Sequence, residues 1–199
     1  MFDSRISAKE FINNLKSEID VALPISDESY LAWLNSAEQF LYGFVIKEEG
    51  IYITEFADEI SLPIDIEGEN SIRSCDITSV YAKFSTMRRV QLLHVTLANG
   101  DTFKDVYFEN GDKLCIKTSF PCNEAEIIYI KRPPLKKTLE DGNVMVPVEF
   151  VELIASKIRG EAYKLANEDS IAAKWLSDYN AHLQDFSAWC ALKKAKVGM

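Results

Sequence analysis

The feature that most constrains this chain is a double change of hydrophobic period. Up to Glu48-Glu49-Gly50 the apolar residues recur at steps of three and four, as one face of a helix requires. From Ile51 to Ile130 they alternate at steps of two, the spacing of a half-buried strand. The alternation stops at Pro133-Pro134, because proline lacks the N–H that a sheet ladder needs. Beyond a turn cluster, Glu140-Asp141-Gly142-Asn143, the helical period returns and holds to Phe186. Helices from both chain ends around a contiguous β segment predict an α+β fold. The terminal helices pack as a bundle, and an antiparallel sheet or sandwich is inserted in the sequence between them.

Local signals place the elements. Ser7-Ala8-Lys9-Glu10 has the pattern of a capping box, and Phe11, Ile12, Leu15 and Ile19 give the helix that follows one apolar edge. Ser26-Asp27-Glu28 caps a longer helix, its acids in the first turn where the helix dipole favours them. That stripe (Tyr30, Leu31, Trp33, Leu34, Ala37, Phe40, Leu41, Phe44, Val45) is wide enough for burial on more than one side. Gly43 within it suggests close packing.

Strands are expected over Ile51–Thr54, Ile64–Ile66, Ile77–Ala82, Arg89–Leu97, Phe103–Phe108, Leu114–Lys117 and Glu126–Ile130. Asn99-Gly100-Asp101 is read as one turn and Asn110-Gly111-Asp112 as a hairpin. Pro147 starts the next helix at a first-turn position, where its missing donor costs nothing. Phe150, Val151, Ile154, Ile158, Ala162 and Leu165 form its stripe. Asn167-Glu168-Asp169 breaks it, with Asn167 as C-terminal cap or Asp169 as the next N-cap. Ile171, Trp175, Leu176, Tyr179, Leu183 and Phe186 stripe the last helix.

Charge and residue inventory narrow the function. Against 31 acidic residues stand 22 basic ones, a net −9, the wrong sign for a protein whose task is gripping phosphates. No apolar run reaches the roughly 20 residues a membrane span needs, and no leader-like segment opens the chain. Cys75, Cys115, Cys122 and Cys190 share no CxxC spacing and read as free thiols of a reducing compartment. His94 sits mid-strand without a nucleophile motif. His182 beside Asp178 and Asp185 reads as a solvated face. Asp101, Asp105, Glu109 and Asp112 lack the order of a calcium loop. With no phosphate-cradling glycine motif, no active site, cofactor or metal is nominated.

Three other stretches invite contacts. Met87-Arg88-Arg89 and the run Lys131, Arg132, Lys136, Lys137 are basic islands in an acidic chain, suited to a neighbouring subunit or a DNA backbone in a channel. The tail places Phe186, Trp189 and Leu192 beside Lys193, Lys194 and Lys196, an aromatic and basic set of the kind that anchors interfaces.

The order of residues in the second half resembles the head–tail connector, or adaptor, proteins of tailed bacteriophages. The likeness is carried by Tyr129, Lys131, Pro133, Pro134, Leu139, Pro147, Glu149, Phe150, Ala162, Tyr163, Ala172, Trp175 and Tyr179. Val106 to Leu114 and the early helix around Tyr30-Leu31-Ala32-Trp33 fit as well, so the likeness covers about two-thirds of the chain. It implies one connector domain: helices over 1–50, a β insert over 51–133, a helical pair over 145–187 and a C-terminal extension over 188–199. It further implies a virion structural protein assembled in the host cytoplasm, not an enzyme. About a dozen copies would form a ring at the neck, binding the portal and other neck or tail proteins, with genomic DNA passing through.

On that reading Phe186, Trp189, Leu192, Lys193, Lys194 and Lys196 meet the portal or a neighbour. Lys131, Arg132, Lys136 and Lys137 face the channel or an adjacent subunit, and removal of residues 186–199 leaves a folded monomer that cannot dock. The chain departs from the all-helical adaptors in its larger β insert and longer N-terminal helices. A β-sandwich module binding glycans or protein ligands is the other reading of the residues, with Tyr81, Phe84, Tyr107 and Phe108 as its aromatic platform.

Overall fold

The computed structural model describes residues 6–66, 71–85, 88–100 and 102–197. The protein is α+β, as the periods imply, and divides into two compact units. One is helical, built from the chain up to Ile46 and from Leu135 onward; the other is the β unit, Lys47–Pro134.

The helical unit begins with α1 (Ala8–Glu18) and α2 (Asp27–Phe40). Ser7 accepts the Glu10 N–H at 3.1 Å and Ser26 the Ser29 N–H at 3.3 Å, so both expected caps satisfy a donor that the helix itself cannot. A six-residue π-helical turn, Leu41–Ile46, continues α2. Pro147 has an extended backbone and precedes a 3-10 turn, Val148–Phe150, so α4 (Val151–Leu165) starts a turn later than expected. The break after α4 is a Schellman closure. Asn167 takes φ 60°, its N–H reaches the Lys164 carbonyl at 3.1 Å, and the Glu168 N–H reaches Tyr163 at 2.9 Å.

The last helix, α5 (Asp169–Val197), runs 29 residues. What was expected as a separate extension after residue 187 is therefore its final turns. Leu15, Leu34, Leu41, Tyr42, Leu153, Ile154, Ile158 and Phe186 meet in one core, each apolar side chain so buried contributing on the order of 1.5–3 kcal/mol. At Gly160 an added Cβ would stand 2.7 Å from Leu176 Cδ2, so the α4–α5 contact there depends on the absent side chain.

The β unit holds β1 (Glu49–Glu55), β2 (Glu59–Ser61), β3 (Ile77–Ser85), β4 (Arg88–Gln91), β5 (Leu93–His94), β6 (Val106–Asn110), β7 (Lys113–Lys117) and β8 (Glu124–Ile130). One sheet has the order β1-β8-β3-β4, antiparallel throughout. The other is β2-β7-β6-β5, with β5 parallel to β6. Val80, Ala82, Ala125, Ile127 and Tyr129 of the first share a core with Tyr107, Leu114 and Ile116 of the second, the small sandwich that the alternation allows. The hairpin at Gly111 forms, with φ 65°.

Three expected strands are shorter than their pattern. Ile64–Ile66 is a single bridge from Ile64 to Ile72. Arg89–Leu97 divides into β4 and β5, and Leu97 instead opens a four-residue helical turn, α3 (Leu97–Gly100), where a simple turn was expected. Phe103–Phe108 pairs only from Val106. For Phe103–Phe108 the partner strand β7 ends at Lys117, opposite Val106, and a ladder needs both strands.

Candidate assembly interface

The aromatic and basic set near the C-terminus separates into buried and exposed halves. Phe186 is completely buried, 4.9 Å from the Phe150 ring and stacked at 5.9 Å on Trp189. Phe186 has no surface to offer a partner, which corrects its assignment as an interface residue. The reason is helical phase: Ala172, Phe186 and Cys190 fall on the face of α5 that meets the core. Trp189 is half-buried, with the Lys193 ammonium 4.7 Å from its ring centroid. Leu192 is 65 % exposed, and Lys193 and Lys194 are exposed. The Lys196 side chain lies outside the described residues.

The basic run is largely satisfied within its own units. Lys136 is buried, its ammonium 2.5 Å from a Glu38 carboxylate oxygen. The other Glu38 oxygen accepts the Met145 N–H at 2.8 Å. One turn earlier on α2, Asn35 donates to the Lys136 carbonyl at 2.8 Å and accepts the Lys136 N–H at 3.0 Å. Both backbone groups and the charge of Lys136 are thus held by α2, so Lys136 is not a channel contact. Burial pushes the Glu38 carboxyl above its ordinary range, against the opposing pull of Lys136.

In the β unit, the Arg132 guanidinium pairs with the buried Asp76 carboxylate, which also takes Arg73 at 3.2 Å. Only 12 % of the Arg132 side chain remains exposed, so it too is committed internally. Lys131 pairs with Glu48 at 3.5 Å and keeps partial exposure. Lys137 is exposed and borders a 450 Å³ groove with Lys9, Asp27, Glu28 and Glu140. Arg88 and Arg89 are exposed on β4, while Met87 lies outside the described residues.

A surface that the sequence did not single out appears where α2 becomes the π turn. A turn closed by i→i+5 bonds takes more residues than an α turn, so it rotates the apolar stripe. Leu41, Tyr42 and Ile46 face the core, while Phe40 and Phe44 stand outward at 39 % and 62 % exposure. Their rings lie 5.2 Å apart. A 210 Å³ groove runs beside Phe44 and Val45, bounded by Ser187, Cys190, Ala191 and Lys194 of α5. Burial pushes the Cys190 thiol up, so this groove is lined by a neutral, apolar sulfur rather than a nucleophile. An aromatic pair next to an apolar groove with a cationic rim has the make-up of an interface anchor.

The histidines and acidic side chains singled out in the sequence make local contacts. His94 Nε2 lies 2.9 Å from Glu109 and its ring stacks at 4.8 Å on Tyr107. His182 approaches the Ser156 hydroxyl at 3.4 Å. Asp105 accepts from the Ser119 N–H at 2.7 Å and from its hydroxyl; Asp101 lies outside the described residues. Among the described residues no three His, Cys, Asp or Glu side chains gather as a metal would require. Cys75, Cys115, Cys122 and Cys190 are thiols rather than disulfides. Tyr107 and Phe108 are buried, Phe84 packs on Phe120 at 5.0 Å, and Arg89 covers Tyr81.

No known protein family and no curated protein matches the chain. Its function must therefore be argued from its own surfaces. Among the described residues no helix is long and apolar enough to cross a membrane.

Proposed function

We propose that this protein is a virion structural component, a head–tail connector whose copies close into a ring between capsid portal and tail around the DNA channel. The observation that carries the proposal is the apolar surface left on a finished helical core: Phe40, Phe44 and the groove between the π turn and α5, with Leu192 exposed near the helix end. Large apolar side chains clustered on an otherwise well-packed unit mark a surface that is covered in the working assembly. The resemblance of residues 129–179 to phage connectors supplies the kind of assembly. A net charge of −9 suits a conduit that repels DNA rather than holding it.

In this reading Trp189, Leu192, Lys193 and Lys194 contribute to the portal or neighbour contact, and of the basic run the exposed Lys137 joins them. Cyclic closure demands a heterologous contact, one patch meeting a different patch on the next copy.

The test is the mass of the full chain by light scattering across concentration, beside Phe44→Asp/Leu192→Asp. The proposal expects the native chain to reach about a dozen times 22.6 kDa and the variant, unchanged in melting temperature, to lose that species. Identical assembly of both proteins would remove the observation on which it stands.

A further inference from the structure

The sheet β1-β8-β3-β4 ends in two edge strands, and only one of them is blunted. An unpaired edge is normally kept short, bulged or interrupted by Lys or Pro, since its free N–H and C=O groups template pairing with another chain. β4 is four residues long beside a register shift in β3, and the edge strands of the other sheet, β2 and β5, have three and two residues. β1 is seven residues long, contains neither Lys nor Pro, and keeps unbroken register with β8 from Glu49 to Glu55. The Lys131 N–H donates to the Glu48 carbonyl at 2.8 Å, and the Phe56 N–H to the Asn123 carbonyl at 3.0 Å. The even-numbered residues of β1 therefore exchange hydrogen bonds with β8, by the alternation of an antiparallel ladder. The N–H and C=O groups of Glu49, Ile51, Ile53 and Glu55 point away from it, and among the described residues no hydrogen bond reaches them.

The same four residues share one face of the sheet. Ile51 and Ile53 stand 61 % and 49 % exposed between two exposed glutamates. No Lys, Arg or His among the described residues pairs with Glu49 or Glu55. Glu55 also lies opposite Glu124 of β8, a like-charge pair that costs stability; Lys83 answers Glu124 at 3.3 Å, and no cation answers Glu55. We infer that β1 is a binding site for an extended segment of another protein, which adds to the sheet as a fifth, antiparallel strand. Its alternate residues are basic, apolar, apolar and basic: cations opposite Glu49 and Glu55, apolar side chains opposite Ile51 and Ile53. The main-chain bonds supply affinity and the alternating side chains supply selectivity. The glutamates themselves disfavour a second copy paired through its own β1, because that pairing sets Glu49 of one chain opposite Glu55 of the other. The site is complete in one chain, so the inference stands or falls apart from the ring.

The test presents the full-length chain with a fluorescein-labelled hairpin peptide whose outer strand reads Lys-Thr-Val-Thr-Val-Thr-Lys, closed by a disulfide so that the strand is preorganised. Anisotropy reads binding, amide hydrogen exchange locates it, and melting temperature is the folding control. The hairpin is expected to bind and to slow exchange across Glu49–Glu55. The variant Glu49→Lys/Glu55→Lys should bind it about tenfold more weakly and prefer the same hairpin with Glu in place of both Lys, since two attractive cross-strand pairs become repulsive. A hairpin N-methylated at the edge-facing amides keeps the charges but loses the donors, and should not bind. Failure of the lysine hairpin to bind, equal binding of its N-methylated form, or unchanged affinity in the folded variant would overturn the strand addition. Slow exchange across β1 in the native chain alone would overturn the occupant, because a second copy would then already hold the edge.

Discussion

Replacing Lys136 with methionine separates the internal from the exposed reading of the basic run most sharply. The side chain keeps its length and apolar stem, so little packing is lost. What disappears is the cation 2.5 Å from Glu38, a carboxylate with only 1 % of its side chain exposed. Breaking one half of a buried pair costs about 3–5 kcal/mol, because the partner charge is left without compensation. For a chain of this size, each kcal/mol lowers the melting temperature by about 2–4 °C, so the expected fall is roughly 6–20 °C. Part of that loss is pH-dependent. Burial already raises the Glu38 carboxyl, and without Lys136 nothing cationic opposes it. A raised carboxyl binds its proton more readily in the folded state, so the variant regains stability as pH falls and loses it as pH rises through the folded titration.

The second arm is Lys136→Met/Glu38→Gln, which removes both charges and keeps an acceptor for the Met145 N–H. It should recover most of the loss, since a buried pair is often no better than a neutral replacement. Differential scanning fluorimetry between pH 5 and 8 reads all three proteins. A single variant within about 3 °C of the native chain at every pH would refute the buried-pair account and return Lys136 to the surface.

Other outcomes follow from the same packing. Removal of residues 186–199 takes out the fully buried Phe186 together with Cys190, so it should unfold the helical unit rather than give a docking-deficient monomer. Removal of 192–199 should instead leave the melting temperature within a few degrees, with circular dichroism deciding between them. Gly160→Val should cost about 1–3 kcal/mol through overpacking against Leu176, measured by denaturant midpoint. Asp141 accepts the N–H groups of Lys137 and Thr138 at 2.7 and 2.8 Å, bonds that hold its carboxyl below the usual carboxylate range. Its contribution is present above the unfolded pKa and lost as pH falls through the folded one. Asp141→Asn should therefore lower stability at pH 7 and flatten the acid limb of a melting-temperature profile.

What the sequence disclosed were features fixed within a few residues. Ser7, Ser26, Asn167 and Gly111 each act through a bond or dihedral that its neighbours determine, and each appears where its type implies. Period alone separated the helical stretches from the β stretch, because it reflects which face is buried. Other features depend on residues far apart. The partner of Lys136 lies 98 positions away on α2, so a lysine beside Lys137 looked like one more surface charge. Phe186 and Leu192 look alike in a tail of aromatics and lysines, yet six residues of helix put one in the core and the other in solvent. The π turn left one trace, a stripe from Tyr30 to Val45 too wide for a single face. The surplus proved to be Phe40 and Phe44 turned outward, rather than a helix buried on two sides.

Electron microscopy of the purified full-length protein tests the central claim most directly, because averaged views report copy number, closure and channel together. The account predicts closed rings of about a dozen copies around an open centre. A uniform population of single 22.6 kDa particles at high protein concentration, with Phe40, Phe44 and Leu192 still facing solvent, would contradict it.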